Sequence, residues 1–128
     1  MKLVNEETRQ LLSQYPIRSQ EEAGFKAKAI VKFFLPTGAW TWYVTEAEEK
    51  KEYGYLFYGL VINGCGEGEF GYFTLKELEE VSVPLKVDHN GWIMTLGQVG
   101  IERDTSFKPT PLNMIANPYV KDYVSRFI

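Results

Sequence analysis

The sequence predicts an α+β fold: an antiparallel meander of four to five strands, with an N-terminal helix, a short helix after the fourth strand and a C-terminal helix. Three observations carry this prediction. Apolar and polar residues alternate over several segments between residues 26 and 73, and turn residues separate those segments. Helix-capping patterns stand near residues 74 and 117. The 128 residues are expected to form a single domain, 1–128.

The first part of the chain predicts a helix followed by a hairpin. Residues 6–14 predict a short helix that ends at Tyr15-Pro16. Lys26–Leu35 predicts a strand. Pro36-Thr37-Gly38 predicts a turn that joins it to a second strand over Ala39–Glu46.

Residues 39–46 are the most informative stretch, because they carry two tryptophans at strand spacing. One set of alternating side chains is expected to be buried and the other to be solvated. The first set is Trp40, Trp42 and Val44, and the second is Thr41, Tyr43 and Thr45. Burying both tryptophans would contribute ~8–12 kcal/mol before conformational costs.

The middle of the chain predicts two more strands. A charged loop over Glu46–Glu52 precedes Tyr53–Asn63, which is apolar on both faces and is therefore expected inside the sheet. A glycine-rich turn over 63–68 then leads into a fourth strand, Glu69–Phe73.

Two capping patterns define the remaining helices. A capping box over Thr74–Glu77 opens a short helix to residue 81, and Asn117-Pro118 opens a helix over 118–127. Residues 82–99 fit no single element, and Val99–Arg103 predicts a further short strand.

Composition and charge narrow the function classes. An aromatic content of 15% argues against disorder, and a net charge of −3 does not favour nucleic acid as a partner. The single cysteine, Cys65, excludes an intramolecular disulfide. The N-terminus has no apolar core of a signal peptide and no apolar run is long enough to span a membrane, so a cytoplasmic location is expected.

Three motifs have structural interpretations. Gly66–Gly71 matches G-x-G-x-x-G, but a strand follows it and its glutamates would repel phosphate, so a hairpin turn is favoured over a dinucleotide site. Phe70–Phe73 lacks the basic opening of an RNA-binding strand, so core packing is favoured. A nucleophilic Cys65 with His89 as its base is not favoured, because the neighbouring glutamates would raise the thiol pKa. No cofactor is expected.

Two other groups of residues keep a functional alternative. Lys26, Lys28 and Lys32 with Tyr43 would suit nucleic-acid or nucleotide binding through a sheet face. Glu102 and Asp104, with Glu46 or Glu79, would suit a metal-assisted enzyme. The structural alternative for the lysine group is the solvated side of a sheet. For the acidic group it is an ion pair of Arg103 beside solvated acids.

Several ordered segments resemble the bacterial and mobile-element family known as domain of unknown function 2958. They are Leu11-Leu12 with Tyr15-Pro16, Lys32-Phe33-Phe34 with Pro36-Thr37-Gly38, Trp40–Glu46, Phe57-Tyr58-Gly59, Glu69–Glu79, and Ile101–Asp104 with Phe107 and Pro109. Residues 85–98 are longer than the usual link, and the tail beyond Ile115 is additional. The resemblance implies a small α+β cytoplasmic protein of plasmids, integrative elements or phages, and it implies no activity.

The leading hypothesis is a non-catalytic binding protein of a mobile element that acts on a host protein, including a defence or restriction component. Its oligomeric state is left open. A carboxylate-rich loop would meet a basic groove of the partner through Glu46, Glu48, Glu49 and Glu52. The structural alternative is that this loop is only solvated. The positions to test first are Trp42, Tyr43, Glu46, Glu79, Glu102, Arg103 and Asp104.

Overall fold

The computed structural model describes residues 1–128 and confirms the predicted α+β class. Two short 3₁₀ turns, Gly24–Lys26 and Leu112–Met114, accompany the regular elements. The three helices are α1 (Glu6–Ser13), α2 (Leu75–Glu79) and α3 (Pro118–Ser125). The strands are β1 (Lys28–Ala29), β2 (Val31–Phe34), β3 (Thr41–Lys50), β4 (Gly54–Ile62), β5 (Gly68–Thr74), β6 (Val83–His89), β7 (Trp92–Val99), β8 (Glu102–Arg103) and β9 (Thr110–Pro111).

The main sheet has five antiparallel strands in the order β5-β4-β3-β2-β8. The predicted hairpin of β2 and β3 is confirmed, and β4 lies inside the sheet as its two apolar faces predicted. Strands β1 and β9 form a small pair, and β6 and β7 form a separate two-stranded ribbon. No helix has the length and apolar character that crossing a membrane would need.

Hydrophobic cores cover both faces of the sheet. The α1 core contains Leu12 with Phe33, Trp42 and Phe57, and the α3 core contains Val120 with other buried residues that include Tyr43, Leu60 and Leu112. The prediction of a solvated face on β3 is therefore wrong. Thr41, Tyr43 and Thr45 are all buried. The α3 core and the segment before α3 cover Tyr43 and Thr41, and the turn that contains Gln20 covers Thr45.

Trp40 departs from the prediction that both tryptophans are buried. Trp42 belongs to the α1 core, whereas Trp40 is 39% exposed and stacks on Trp42 with ring centroids 5.6 Å apart. Trp40 lies just before β3, next to the turn of the hairpin, and is outside the group of side chains that form the α1 core.

The predicted strand Lys26–Leu35 is broken at Ile30. Ala29 contacts the α3 core and Val31 contacts the α1 core, so residues two apart lie on opposite faces. The break occurs because β1 pairs with β9, while the Ile30 amide donates to the Val44 carbonyl and starts the pairing of β2 with β3.

The predicted charged loop Glu46–Glu52 is also wrong at its start, since β3 continues to Lys50. The register between β3 and β4 shifts between Val44 and Glu46, which identifies Thr45 as a β-bulge. The bulge puts Glu46 opposite Tyr58 and leaves it 4% exposed.

Residues 82–99, which the pattern did not assign, form the β6–β7 ribbon. Its turn is Asn90-Gly91, with φ angles of 52° and 86°, the left-handed geometry of a two-residue hairpin loop. An Asn-Gly pair between alternating residues is a strong hairpin signal, so the sequence did contain the information.

Both predicted helix caps are confirmed. The Thr74 hydroxyl oxygen accepts the amide of Glu77 at 3.1 Å, and the Asn117 side chain accepts the amide of Tyr119 at 2.8 Å. These caps fix where α2 and α3 begin on opposite sides of the sheet.

Candidate functional site

The residues that the sequence singled out do not meet in one place. Trp42 and Tyr43 lie in the two opposite cores, and Glu46 is buried beside the turn that precedes β1. Glu79 is exposed at the end of α2, where it lines a shallow depression together with Glu102.

Arg103 has a structural role, but the predicted ion pair of this residue is wrong. Its guanidinium donates to the carbonyls of Lys2 and Leu3, at 2.9 and 2.7 Å, and forms no ion pair with Glu102 or Asp104. The side chain therefore holds the N-terminal residues against the edge of the sheet.

Both carboxylate oxygens of Asp104 already have partners within the protein. One carboxylate oxygen lies 3.5 Å from the Lys32 ammonium, and the other accepts the amide of Ser106 at 2.9 Å. No group of three His, Cys, Asp or Glu side chains converges anywhere in the chain, so Glu102 and Asp104 have no third ligand beside them.

The lysine face lacks an aromatic platform. Lys26 and Lys28 are exposed, but Tyr43 is 1% exposed and its hydroxyl accepts the Asn117 side-chain amide at 3.2 Å. Burial raises the pKa of Tyr43 above its usual value. The Lys32 ammonium lies 5.9 Å from the Tyr43 ring. Because the ring lies inside the α3 core, Tyr43 offers no free face to a base.

Cys65 and His89 occupy different hairpin ends. Cys65 lies in the exposed turn between β4 and β5, where its amide donates to Asn63 at 2.9 Å. His89 pairs with Trp92 at the tip of the ribbon. Neither residue contacts the other.

The most distinctive site is a cleft of about 440 Å³ above Glu46, which we name the Glu46 cleft. Its residues are Arg18, Gln20, Glu21, Gly24, Phe25, Ala27, Thr45, Glu46, Tyr58, Phe70 and Tyr72. The sequence placed Glu46 among the candidates but missed the aromatic wall, since the two are joined only by strand register.

The carboxylate of Glu46 is held by a left-handed turn. Its two oxygens accept the backbone amides of Arg18 at 2.7 Å and Gln20 at 3.0 Å. Arg18 has a φ of 77°, which turns both amides toward the same carboxylate. The turn and β3 therefore fix Glu46 from two sides.

Gln20 fixes this turn to the sheet. Its side-chain oxygen accepts the amide of Lys28 at 2.6 Å, and its nitrogen donates to the carbonyls of Lys28 and Thr45 at 2.8 and 2.7 Å. The cleft is thus built by three side-chain hydrogen bonds before any ligand enters, which limits the ordering cost of binding.

A row of aromatic rings forms the wall of the cleft. Strand register places Glu46 opposite Tyr58 and Tyr58 opposite Tyr72. The Tyr58 ring centroid lies 4.8 Å from that of Tyr72 and 6.0 Å from that of Phe70, and Tyr72 is 59% exposed. The pKa of Tyr58 is raised, mainly because the ring is partly buried and to a smaller extent because Tyr72 and Glu46 are nearby.

The charge in the cleft is unbalanced. Glu46 is almost fully buried, yet no lysine or arginine forms an ion pair with it. The other charged residues of the cleft, Arg18 and Glu21, are exposed and have opposite signs, so the lining contains one more acidic side chain than basic ones.

The fold and the cleft together define a small α+β protein whose sheet is covered on both faces and bears one preformed aromatic cleft. The chain belongs to the family described as Protein of unknown function (DUF2958), which matches residues 3–118. The resemblance read from the sequence is thereby confirmed, and most of α3 lies beyond the match. Comparison with curated proteins and with solved structures finds no match.

Proposed function

We propose that this chain is a non-catalytic binding protein that captures a basic side chain of a partner protein in the Glu46 cleft. The observation that supports the proposal best is the buried carboxylate of Glu46, which accepts two backbone amides and has no cationic partner. The aromatic wall beside it supplies the second half of a cation site.

The chemistry of the cleft suits an arginine or lysine side chain. A carboxylate offers about four acceptor positions, and the turn uses two of them. A buried charge is costly unless an opposite charge pairs with it. The faces of Tyr58, Phe70 and Tyr72 attract a cation, and they also pack against the methylene stem of a long basic side chain.

The charge of the whole chain acts in the same direction. A net charge of −3 favours approach to a basic surface and disfavours phosphate. The resemblance to a family of mobile elements leads us to propose a host protein as the partner, including a defence component. Glu46 thus keeps its proposed role, but as the floor of a cleft and not as part of a loop.

A peptide titration tests this function. The labelled protein is titrated with Ac-Ala-Arg-Ala-NH₂ and, as the control, with Ac-Ala-Gln-Ala-NH₂, and ring resonances of Tyr58, Phe70 and Tyr72 are followed by NMR. We expect the arginine peptide to shift these resonances with a Kd of about 1 mM, and the glutamine peptide to bind at least about tenfold more weakly. Equal shifts with both peptides, or none with either, would contradict the proposal.

Substitutions separate binding from folding. Tyr72→Leu removes an exposed ring of the wall and is expected to raise the Kd of the arginine peptide about five- to tenfold. Tyr119→Leu is the matched control, since Tyr119 is an exposed ring outside the cleft, and it should leave the Kd unchanged. Glu46→Gln removes the charge and should abolish the preference for arginine over glutamine. Because that change also disturbs the Arg18 turn, its folding is checked by the spectrum of the free protein.

A further inference from the structure

The β6–β7 ribbon stands apart from both hydrophobic cores. Its two strands pair only with each other, and most of its large apolar side chains are exposed: Trp92 at 77%, Ile93 at 67%, Leu96 at 59% and Met94 at 49%. An isolated two-stranded hairpin is marginally stable in water and normally gains a third strand or a packed face. A further strand paired with the ribbon would therefore stabilise it.

The two free edges of the ribbon differ in composition. Strand β6 carries Pro84, Lys86 and Asp88, which are the residue types that protect an edge from pairing. Strand β7 has neither a charged residue nor a proline between Trp92 and Val99. Only the β7 edge is open to another strand.

Strand β7 also has a clear apolar face. Trp92, Met94 and Leu96 alternate along it, and Met94 pairs with Val87 on β6, so these side chains share one face of the ribbon. Gly97, with a φ of 124°, lies at the register shift where this face ends. The usable edge is thus the segment Trp92–Leu96.

The other free edge of substantial length is β5, and it is less available. Strand β5 carries Glu69, and α3 packs beside it through Tyr123, whose ring lies 6.0 Å from that of Phe70. A glutamate and a neighbouring helix therefore protect the β5 edge from pairing, whereas the β7 edge has neither.

We propose that two copies of this chain associate by antiparallel pairing of their β7 strands about a two-fold axis at Met94. In this register Trp92 lies opposite the partner's Leu96, and Met94 lies opposite the partner's Met94. An antiparallel pair of identical strands is symmetric by construction, so one strand supplies both halves of the interface. The result is a four-stranded sheet with aromatic–aliphatic cross-strand pairs.

The size of the interface sets its strength. Complete burial of the exposed parts of Trp92, Met94 and Leu96 in both copies would cover at most about 800 Å². That area lies below the standard size of specific interfaces, so a weak, transient dimer with a Kd of about 100 µM is expected.

A disulfide trap tests the register directly. Met94→Cys is made in a Cys65→Ser background, because Cys65 is exposed and would cross-link by itself. Residues opposite each other on neighbouring strands have Cβ atoms ~4.5–5.5 Å apart, within reach of a disulfide after a small adjustment. Mild oxidation should yield a covalent dimer. Val87→Cys in the same background is the control, since Val87 lies on the same face but on β6. The absence of a covalent dimer of the Met94→Cys variant, or equal cross-linking at Val87, would overturn the proposal.

Sedimentation of the uncross-linked protein gives an independent test. The wild-type chain should show a dimer fraction that rises with protein concentration up to about 200 µM. The Met94→Lys variant should remain monomeric over the same range. Val87→Lys places the same charge on the same face away from the β7 edge and should still dimerise. A monomeric wild type, as expected if the ribbon binds only a different protein, would overturn the proposal. Loss of the dimer in both variants would also overturn it, because that result indicates stacking of the ribbon faces.

Discussion

The five-stranded sheet and the β6–β7 ribbon have similar local sequence patterns and opposite surroundings. In both, apolar and polar residues alternate along the strands, and in both the strands are antiparallel. In the sheet, side chains of β3 enter cores on two faces, and Val44 and Tyr43 are almost fully buried although they are neighbours in sequence. In the ribbon, Trp92 and Ile93 are neighbours on two faces and both are exposed.

The difference shows that alternation predicts a strand but not what covers it. Stability of the sheet comes from burial on both faces, and this rigidity holds the Glu46 cleft in shape. The ribbon has turn geometry and backbone pairing but no core, so its stability depends on what binds to it. Substitutions in the sheet are therefore expected to destabilise the fold, whereas substitutions in the ribbon should have little effect on the stability of the monomer.

The largest effect is expected at Gly59 in the sheet. A Cβ at this residue would meet the Tyr43 carbonyl oxygen of the neighbouring strand, so Gly59→Ala should cost more than about 4 kcal/mol or prevent folding. Gly71→Ala is the matched control, because Gly71 pairs with Gly59 and its Cβ would meet nothing within 4 Å. Urea unfolding measures both. Equal stabilities for the two variants would contradict the structure of β4.

The next largest effect compares a core residue with a ribbon residue. Phe57 is fully buried and contacts Phe33 and Phe73, so Phe57→Ala should lower the free energy of unfolding by about 3–4 kcal/mol. Ile93→Ala removes a side chain that is 67% exposed and should change the stability of the monomer by less than about 0.5 kcal/mol. Thermal and urea unfolding at low protein concentration measure this contrast. A loss at Ile93 as large as at Phe57 would show that the ribbon is packed in the monomer.

A helix cap gives a smaller effect. Thr74→Ala removes the acceptor for the Glu77 amide and should cost about 1 kcal/mol. Thr105→Ala, a change at an exposed threonine outside any cap, is the control and should be neutral within about 0.5 kcal/mol. An unchanged unfolding midpoint for Thr74→Ala would indicate that α2 is held by packing alone.

Alkaline pH is expected to produce the smallest and most gradual effect. Burial raises the pKa of Tyr43, so the folded chain keeps a proton that the unfolded chain releases near pH 10. The stability that depends on this proton is present below the unfolded pKa and is lost as the pH rises through the folded pKa. Urea unfolding across this range should show a decline in stability, and Tyr43→Phe should flatten it. A variant with the same slope as the wild type would assign the decline to other tyrosines, such as Tyr55, Tyr58 and Tyr123, whose pKa values are also raised by burial.

Local signals in the sequence predicted the elements well. Thr74 and Asn117 marked helix starts because a cap acts within a few residues, and Pro36-Thr37-Gly38 marked a hairpin for the same reason. The break at Ile30 and the bulge at Thr45 were not predictable, since each depends on which strand pairs with which. The Asn90-Gly91 hairpin was predictable from its turn residues but was not assigned.

The candidate site was predicted only in part. Glu46 was selected, but its burial follows from the Thr45 bulge, and its aromatic neighbours follow from the register of β4 and β5. The acidic residues Glu102 and Asp104 were selected by their spacing, yet Lys32 pairs with Asp104 from a strand much earlier in the sequence. Contacts between distant segments cannot be read from spacing along the chain.

Amide hydrogen exchange, measured residue by residue at about 10 µM and about 500 µM protein, tests the contrast between the two regions most directly. We expect amides of β3 and β4 to be strongly protected at both concentrations. Amides of the ribbon should exchange rapidly in the dilute sample, and those of β7 should become protected in the concentrated one. Ribbon amides as protected as those of β3 in the dilute sample would contradict the claim that the sheet is stable by itself and the ribbon is not.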